Sequence, residues 1–135
     1  MDNKVIAKEW FMFAKSDLDS AKFLINMYPK PLEIICYHCE QSAEKYLKGY
    51  LILNGSKAEK THDLVLLNKK CKNINYKFND IEDHCIELVP YGVQVRYPYQ
   101  LEINEDDVKN AISSAERIEN FIQNILLHYL DYISC

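Results

Sequence analysis

The sequence predicts an all-α protein, a bundle of helices, and three observations support this prediction. Apolar residues recur at spacings of three and four along most of the chain, which is the period of an α-helix. Only three Gly and four Pro are present, too few for the frequent tight turns of a β-sandwich. With 135 residues, 48% of them hydrophobic, the chain is long enough for one core, and residues 1–135 are predicted to form a single helical domain.

The first helix is predicted from about Lys4 to Met27, because apolar residues line one side of it. This stripe comprises Trp10, Ala14, Leu18, Ala21 and Leu24 or Ile25. Asp17 interrupts the stripe. Because an unpaired buried carboxylate is costly, Asp17 is predicted either to form a structural ion pair or to be hydrated at the rim of the helix.

The second helix is predicted over Leu32–Asn54, after the break at Pro29-Lys30-Pro31 and before a left-handed cap at Gly55. Its core face comprises Ile35, Cys36, Cys39, Ala43, Tyr46, Leu47, Tyr50 and Leu53. A second stripe on the opposite side comprises His38, Gln41, Lys45 and Lys48. This stripe is either a solvated surface or a site where an anion or a partner chain binds.

A third helix is predicted to begin at Thr61 or Asp63, either of which can cap it, and to carry Leu64, Leu67, Cys71 and Ile74. His62 then lies at a helix N-terminus, beside free N–H groups that favour anions. A fourth helix is predicted from Ile81 to about Val89, with Asn79 or Asp80 as its cap.

The last long helix is predicted to begin at a capping sequence, Asn104 to Asp107, and to continue almost to the C-terminus. Four apolar residues make its stripe wider than one core face needs; they are Phe121, Leu126, Leu127 and Leu130. This extra width predicts a homodimer interface.

The segment Val93–Tyr99, between the fourth and last helices, is predicted to be an ordered loop over the bundle. It contains Arg96, flanked by Tyr91, Tyr97 and Tyr99. A planar guanidinium among aromatic rings suits a phosphate or a nucleobase, and it suits an internal carboxylate such as Asp17 equally well.

Charge and hydropathy exclude several classes of function. The net charge of −4 and pI near 5.5 argue against binding of duplex DNA by the overall field, although a local basic strip is compatible with them. No apolar run reaches the roughly 18 to 20 residues of a membrane span, and the first ten residues lack a signal-peptide core, so a cytoplasmic location is expected. The five Cys are predicted to be reduced thiols.

Neither a metal nor a cofactor is predicted. Cys36 and Cys39 point to the core face whereas His38 points away, and His84 and Cys85 are adjacent on a helix, so neither set converges on one ion. His62 and Arg96 are therefore the candidate catalytic residues, with the polar stripe of the second helix beside them. Arg can hold a phosphate and His can transfer a proton, which is the minimum for metal-free RNA cleavage. Alternatively, His62 only caps a helix and Arg96 only ties a loop to an acid.

Four segments, taken together and in order, resemble the HEPN domain family (higher eukaryotes and prokaryotes nucleotide-binding). They are Trp10, Ala14, Asp17-Leu18 and Ala21; His38, Gln41, Ala43-Glu44-Lys45 and Leu47-Lys48; Thr61-His62-Asp63-Leu64; and Val95-Arg96-Tyr97-Pro98. The resemblance implies an up-and-down bundle of four to five helices that commonly dimerises. It also implies that a stand-alone member is often encoded beside a small nucleotidyltransferase as a toxin–antitoxin pair.

Many members of this family are metal-independent ribonucleases with an Arg followed, after four to six intervening residues, by a His. Arg96 matches the Arg, whereas Leu101, Glu102 and Ile103 occupy the positions of the His. Whether the chain is an enzyme therefore stays open at this point.

The resemblance and the residues lead to three hypotheses. In the first, a cleft lined by Arg96, Tyr97, His62 and Lys45, with His38 and Lys48 of the polar stripe, binds RNA or a nucleotide within a nucleotidyltransferase-linked module. In the second, the chain is a non-catalytic dimerisation or interaction subunit. In the third, it is a metal-independent ribonuclease.

Overall fold

In a computed structural model, which describes residues 2–57, 59–92 and 102–127, the chain is a bundle of helices. The described residues form five α-helices: α1 (Asn3–Leu24), α2 (Leu32–Leu53), α3 (Leu64–Ile74), α4 (Glu82–Leu88) and α5 (Glu105–Leu126). Two 3₁₀ helices, Tyr76–Ile81 and Val89–Tyr91, flank α4, and these described ranges contain no strand. The prediction of an all-α bundle is confirmed.

Helices α1 and α2 make the most extensive helix–helix contact among the described residues. Small residues allow their backbones to approach closely: Ala14 is fully buried, and Ser42 Oγ donates a hydrogen bond of 2.8 Å to its carbonyl. Gly49 of α2 faces Phe11, and a Cβ atom at this glycine would lie 2.5 Å from the Phe11 ring. The α-helical part of α1 ends at Leu24, three residues before the predicted end at Met27, and a turn leads from there to Pro31.

Helix α2 lies at the centre of the bundle and packs against α1, α3, α4 and α5. Its predicted core face is buried as far as Tyr50, and Leu53 is partly buried. The opposite stripe is covered as well: Lys48 is buried, and His38, Gln41 and Lys45 are only partly exposed. The interpretation of this stripe as a solvated surface is therefore wrong, because neighbouring elements pack over both sides of α2.

Gly55 ends α2 as predicted. It has φ +90°, and the N–H groups of Gly55 and Ser56 donate to the carbonyls of Ile52 (3.0 Å) and Leu51 (2.9 Å). This is the glycine-dependent cap that satisfies the last carbonyl groups of a helix.

Asp63 caps α3, since its carboxylate accepts hydrogen bonds from the N–H groups of Val65 (3.0 Å) and Leu66 (3.3 Å). The predicted caps of the fourth helix are wrong: Asn79 and Asp80 lie inside the 3₁₀ helix, and α4 begins at Glu82. Residues three apart share a face of a 3₁₀ helix. Phe78 and Ile81 are therefore both buried, and Phe78 contacts the rings of Tyr50 and Phe121.

Helix α5 begins with the predicted capping sequence, in which Asn104 and Asp107 exchange hydrogen bonds of 2.9 Å between side chain and backbone. Phe121 packs on Phe78 and Leu126 is buried, so these two residues belong to the core of their own chain. They do not support the predicted dimer interface. Leu127 is exposed, and Leu130 lies outside the described residues. Across the described ranges, no helix is long and apolar enough to cross a membrane.

Candidate functional site on helix α2

The first polar cluster joins α1 to α2 through Asp17. One oxygen of its carboxylate, Oδ1, lies 2.9 Å from Nδ1 of His38, and the other accepts a hydrogen bond from Nζ of Lys45. All three side chains are largely buried. Two of the predicted ligand-binding residues, His38 and Lys45, are therefore held by an internal carboxylate.

The second cluster joins α2 to the segment before α3 through Glu44. Its Oε2 atom accepts a hydrogen bond from Lys48 Nζ (2.9 Å) and lies 2.9 Å from Nδ1 of His62. Glu44 and Lys48 are both buried, and Lys48 Nζ also lies 5.8 Å from the centre of the Trp10 ring. The charge of Lys48 is thus neutralised inside the bundle.

Among the predicted ligand-binding residues that the structure describes, His62 is distinguished by a side chain that is 73% exposed. A carboxylate accepts hydrogen bonds, so the nitrogen that faces Glu44 carries the proton in the neutral ring. The other nitrogen, Nε2, then has a lone pair. A buried acid therefore fixes the orientation of an imidazole that solvent can reach, an arrangement used both for hydrogen bonding to ligands and for proton transfer.

Helix α2 carries two buried carboxyl groups, those of Glu40 and Glu44, which lie one helical turn apart. Burial, and secondly the charge of Glu44, raise the pKa of Glu40 to about 8, so Glu40 is largely protonated at neutral pH. Gln41 Nε2 donates to Glu40 Oε1 (2.8 Å), and a Cβ atom at Gly92 would lie 2.9 Å from Glu40 Oε2. The Oε1 atom of Glu44 is buried and has no hydrogen-bond partner in the described part of the chain.

The predicted residues Arg96 and Tyr97 lie outside the described residues, which stop at Gly92 and resume at residue 102. The cleft that Arg96 and His62 are predicted to line therefore stays a prediction. Among the described residues, the structure brings Asp17, His38 and Lys45 together, and it brings His62 and Lys48 together through Glu44.

Metal and thiol chemistry receive no support from the described side chains. In that part of the chain, no group of three or more His, Cys, Asp or Glu side chains could hold a metal ion. The four thiols of the helices are buried, and burial raises the pKa of Cys36 and of Cys85 to about 12. Thiols of this kind are poor nucleophiles at neutral pH.

Sequence reasoning did not select Glu40 and Glu44 as site residues. Both lie next to the polar stripe of α2, and Glu44 precedes Lys48 by four residues, a spacing that favours an ion pair on a helix. The spacing therefore predicts the ion pair between Glu44 and Lys48 from the sequence alone. The contact between Glu44 and His62 had no such signal, because it depends on how the segment before α3 packs against α2.

Comparison with known proteins identifies the family to which this chain belongs. A sequence model of the HEPN domain matches residues 7–125. The chain therefore belongs to the HEPN family, and the predicted resemblance is confirmed.

Two solved structures are similar in fold. TT1696 from Thermus thermophilus has a TM-score of 0.74 and 20% sequence identity, and the match covers 87% of this chain and 96% of that one. ST0689, described as an archaeal HEPN homologue, has a TM-score of 0.68 and 23% identity, covering 89% of this chain and 97% of that one. Comparison with curated proteins gives no match.

Proposed function

We propose that this HEPN protein is the RNA- or nucleotide-binding component of a toxin–antitoxin or nucleotidyltransferase-linked module, and that His62 faces the ligand. The observation that carries this proposal is the exposed imidazole of His62, whose Nδ1 lies 2.9 Å from the buried Glu44. When the ring is neutral, Nε2 accepts a hydrogen bond from a ribose hydroxyl, and when the ring is protonated, Nε2 donates to a phosphate oxygen. Arg96 and Tyr97 are proposed to contribute phosphate binding and base stacking.

The described lysines of the polar stripe have a different role in this proposal. Lys45 and Lys48 are paired with Asp17 and Glu44, so moving them to a ligand would leave a buried carboxylate without its cation. We assign them to holding the site, and His38 with them, rather than to contacting the ligand.

Changing His62 to Ala tests the proposal directly. Binding of a fluorescently labelled single-stranded RNA and of a labelled nucleotide is measured by anisotropy, and binding of at least one of them should weaken by about five-fold or more. His84→Ala is the matched control, because His84 contacts Ser114 of α5 instead of α2, and its binding should equal that of the wild type. Equal binding by the His62 variant would show that His62 does not face the ligand.

A cleavage assay with the wild type, His62→Ala and Arg96→Ala tests whether RNA is cleaved. Incubation of RNA with the wild type in the presence of a chelator should give cleavage only if the chain is a metal-independent ribonuclease. In that case His62→Ala and Arg96→Ala should each abolish it. Binding without cleavage is the result expected of a non-catalytic RNA-binding component.

A second candidate function is a dimerisation or interaction subunit. It is favoured by large apolar side chains that are exposed at the α1–α2 end of the bundle, among them Phe23, Met27 and Tyr28. In this case the protein should sediment as a homodimer or co-purify with a co-expressed nucleotidyltransferase, and neither His62→Ala nor Arg96→Ala should alter that assembly.

A further inference from the structure

Positive charge is concentrated in one segment of this acidic protein. Residues 57–78 contain six Lys and two acidic residues, a net charge of +4, whereas the rest of the chain contains ten basic and eighteen acidic residues, a net charge of −8. The segment comprises the approach to α3, α3 itself and the start of the following 3₁₀ helix. Such clustering produces a local positive field in spite of the net negative charge.

Four of these lysines are exposed and available to a ligand. Lys57, Lys60, Lys69 and Lys77 are exposed, and none forms an ion pair with another residue of the described ranges. They differ in this respect from Lys45 and Lys48 of α2, which are paired internally.

The contacts of neighbouring residues place these lysines around one helix. Leu64, Leu67 and Cys71 define the buried side of α3, and Lys69 lies on its exposed side. Glu59 Oε1 lies 2.7 Å from Nζ of Lys70, so the segment that carries Lys60 is fastened along α3.

An exposed aromatic ring follows α3 directly. Tyr76 is 76% exposed, at the first position of the 3₁₀ helix and next to Lys77. The backbone beneath it is fixed, because Phe78 is fully buried and its carbonyl accepts a hydrogen bond of 3.2 Å from Asn68 Nδ2. An exposed ring on a fixed backbone, beside a cationic group, is a combination that suits stacking with an unpaired base.

We propose that Lys57, Lys60, Lys69, Tyr76 and Lys77, together called the α3 surface, bind single-stranded RNA. The four ammonium groups contact phosphates, and Tyr76 stacks with a base, which only an unpaired strand can offer. This inference rests on the proposed function and makes it more specific. His62 precedes the helix cap, Asp63, and therefore lies at the N-terminal end of the same surface.

The test compares two variants of equal charge. In one, Lys57, Lys60, Lys69 and Lys77 are changed to Gln; in the other, Lys8, Lys15, Lys109 and Arg117, on α1 and α5, are changed to Gln. Binding of a labelled single-stranded RNA is measured by anisotropy at several salt concentrations. The plot of log association constant against log salt concentration has a negative slope. This slope should become less negative by about 0.7 for each phosphate contact removed from the α3 surface, and the control should keep the wild-type slope.

The aromatic position has its own comparison. Tyr76→Ala should weaken binding by between about five-fold and a hundred-fold, whereas Tyr76→Phe, which keeps the ring, should bind like the wild type. Since all five side chains are exposed, thermal unfolding should verify that the variants are folded.

Different results separate this inference from the proposed function. If wild-type RNA binding is lost in His62→Ala but is unchanged in the α3-surface variant, the inference is wrong and the proposed function stands. If the wild type binds no RNA and no nucleotide at low salt, the proposed function itself is wrong. Polyglutamate and unlabelled single-stranded RNA are compared as competitors of the labelled RNA. If both displace it equally well, the α3 surface recognises an acidic protein and the RNA assignment is overturned.

Discussion

At the scale of single residues, buried carboxyl groups determine what the polar side chains of α2 can do. Asp17 and Glu44 each contact one imidazole and one ammonium group, and they neutralise the charges of Lys45 and Lys48. Sequence reasoning selected Asp17 as a residue in need of a cation, because it interrupts an apolar stripe. It could not select the partners, since these come from a different helix and depend on the packing of α1 on α2.

Changing Asp17 to Asn tests the first of these clusters. The amide keeps the shape of the side chain but leaves Lys45 without a counter-charge in a largely buried place, so the free energy of unfolding should fall by about 1–3 kcal/mol. Urea denaturation measures it. Asp19→Asn is the control, because the Asp19–Lys15 pair is exposed and should contribute little.

Glu40 predicts a dependence of stability on pH. Its pKa is raised from 4.5 to about 8, so in this window the folded protein holds a proton that the unfolded chain releases. Stability should therefore fall as pH rises from about 4.5 to about 8, by at most about 1.4 kcal/mol per pH unit from this group. Glu40→Gln, which stays neutral, should lack this slope.

The difference between Glu40→Gln and the wild type isolates the effect of Glu40 from other groups that titrate in the same range. Urea denaturation at pH 5.5 and at pH 7.5 should show the variant gaining stability relative to the wild type at the higher pH. A constant difference at both values would mean that Glu40 is ionised in the folded protein. Glu9→Gln, at an exposed position of α1, should follow the wild type.

At the scale of secondary-structure elements, the five α-helices could be predicted, including the short α4, whereas the 3₁₀ helix after α3 could not. Local signals mark the C-terminal end of α2 and the start of α5: Gly55 after α2, and the capping sequence at Asn104 before α5. The 3₁₀ helix after α3 has no comparable signal. It forms because Phe78 reaches the core between Tyr50 and Phe121, a tertiary contact that local sequence does not contain.

The capping box of α5 should contribute measurably to stability. Asn104→Ala removes the side-chain acceptor for the Asp107 N–H and should lower the free energy of unfolding by about 1 kcal/mol. Asn110→Ala, at an exposed position inside the same helix, should leave stability unchanged or raise it slightly, because Ala favours helix. Thermal denaturation of both variants measures the difference, and an equal loss in both would contradict a capping role.

At the scale of the whole molecule, α2 and the 3₁₀ helix connect parts of the bundle that are distant in sequence. Phe78 contacts rings of α2 and α5 and is fully buried, so it joins three elements at one point. The apolar periodicity of the sequence was sufficient to predict a bundle. It was not sufficient to predict which charges face solvent. Four exposed lysines without an ion pair in the described ranges lie around α3, whereas Lys48 of the predicted polar stripe is buried and its other members are partly covered.

Phe78→Ala tests this central position. The variant should lose about 3–5 kcal/mol of stability, as expected for a large side chain deleted from a core, and unfolding should remain a single transition in urea. Tyr76→Ala, two residues earlier but exposed, should change stability by less than about 0.5 kcal/mol. A small effect at Phe78 would mean that the core can rearrange around the missing ring.

The buried thiols give this protein a set of natural reporters of its own motions. Cys36 and Cys39 belong to α2, Cys71 to α3 and Cys85 to α4, and all four are shielded from solvent. A thiol-modifying reagent can reach each sulfur only when its helix separates from its neighbours. The order in which the four react under native conditions therefore records the order in which the helices detach, without any substitution in the chain.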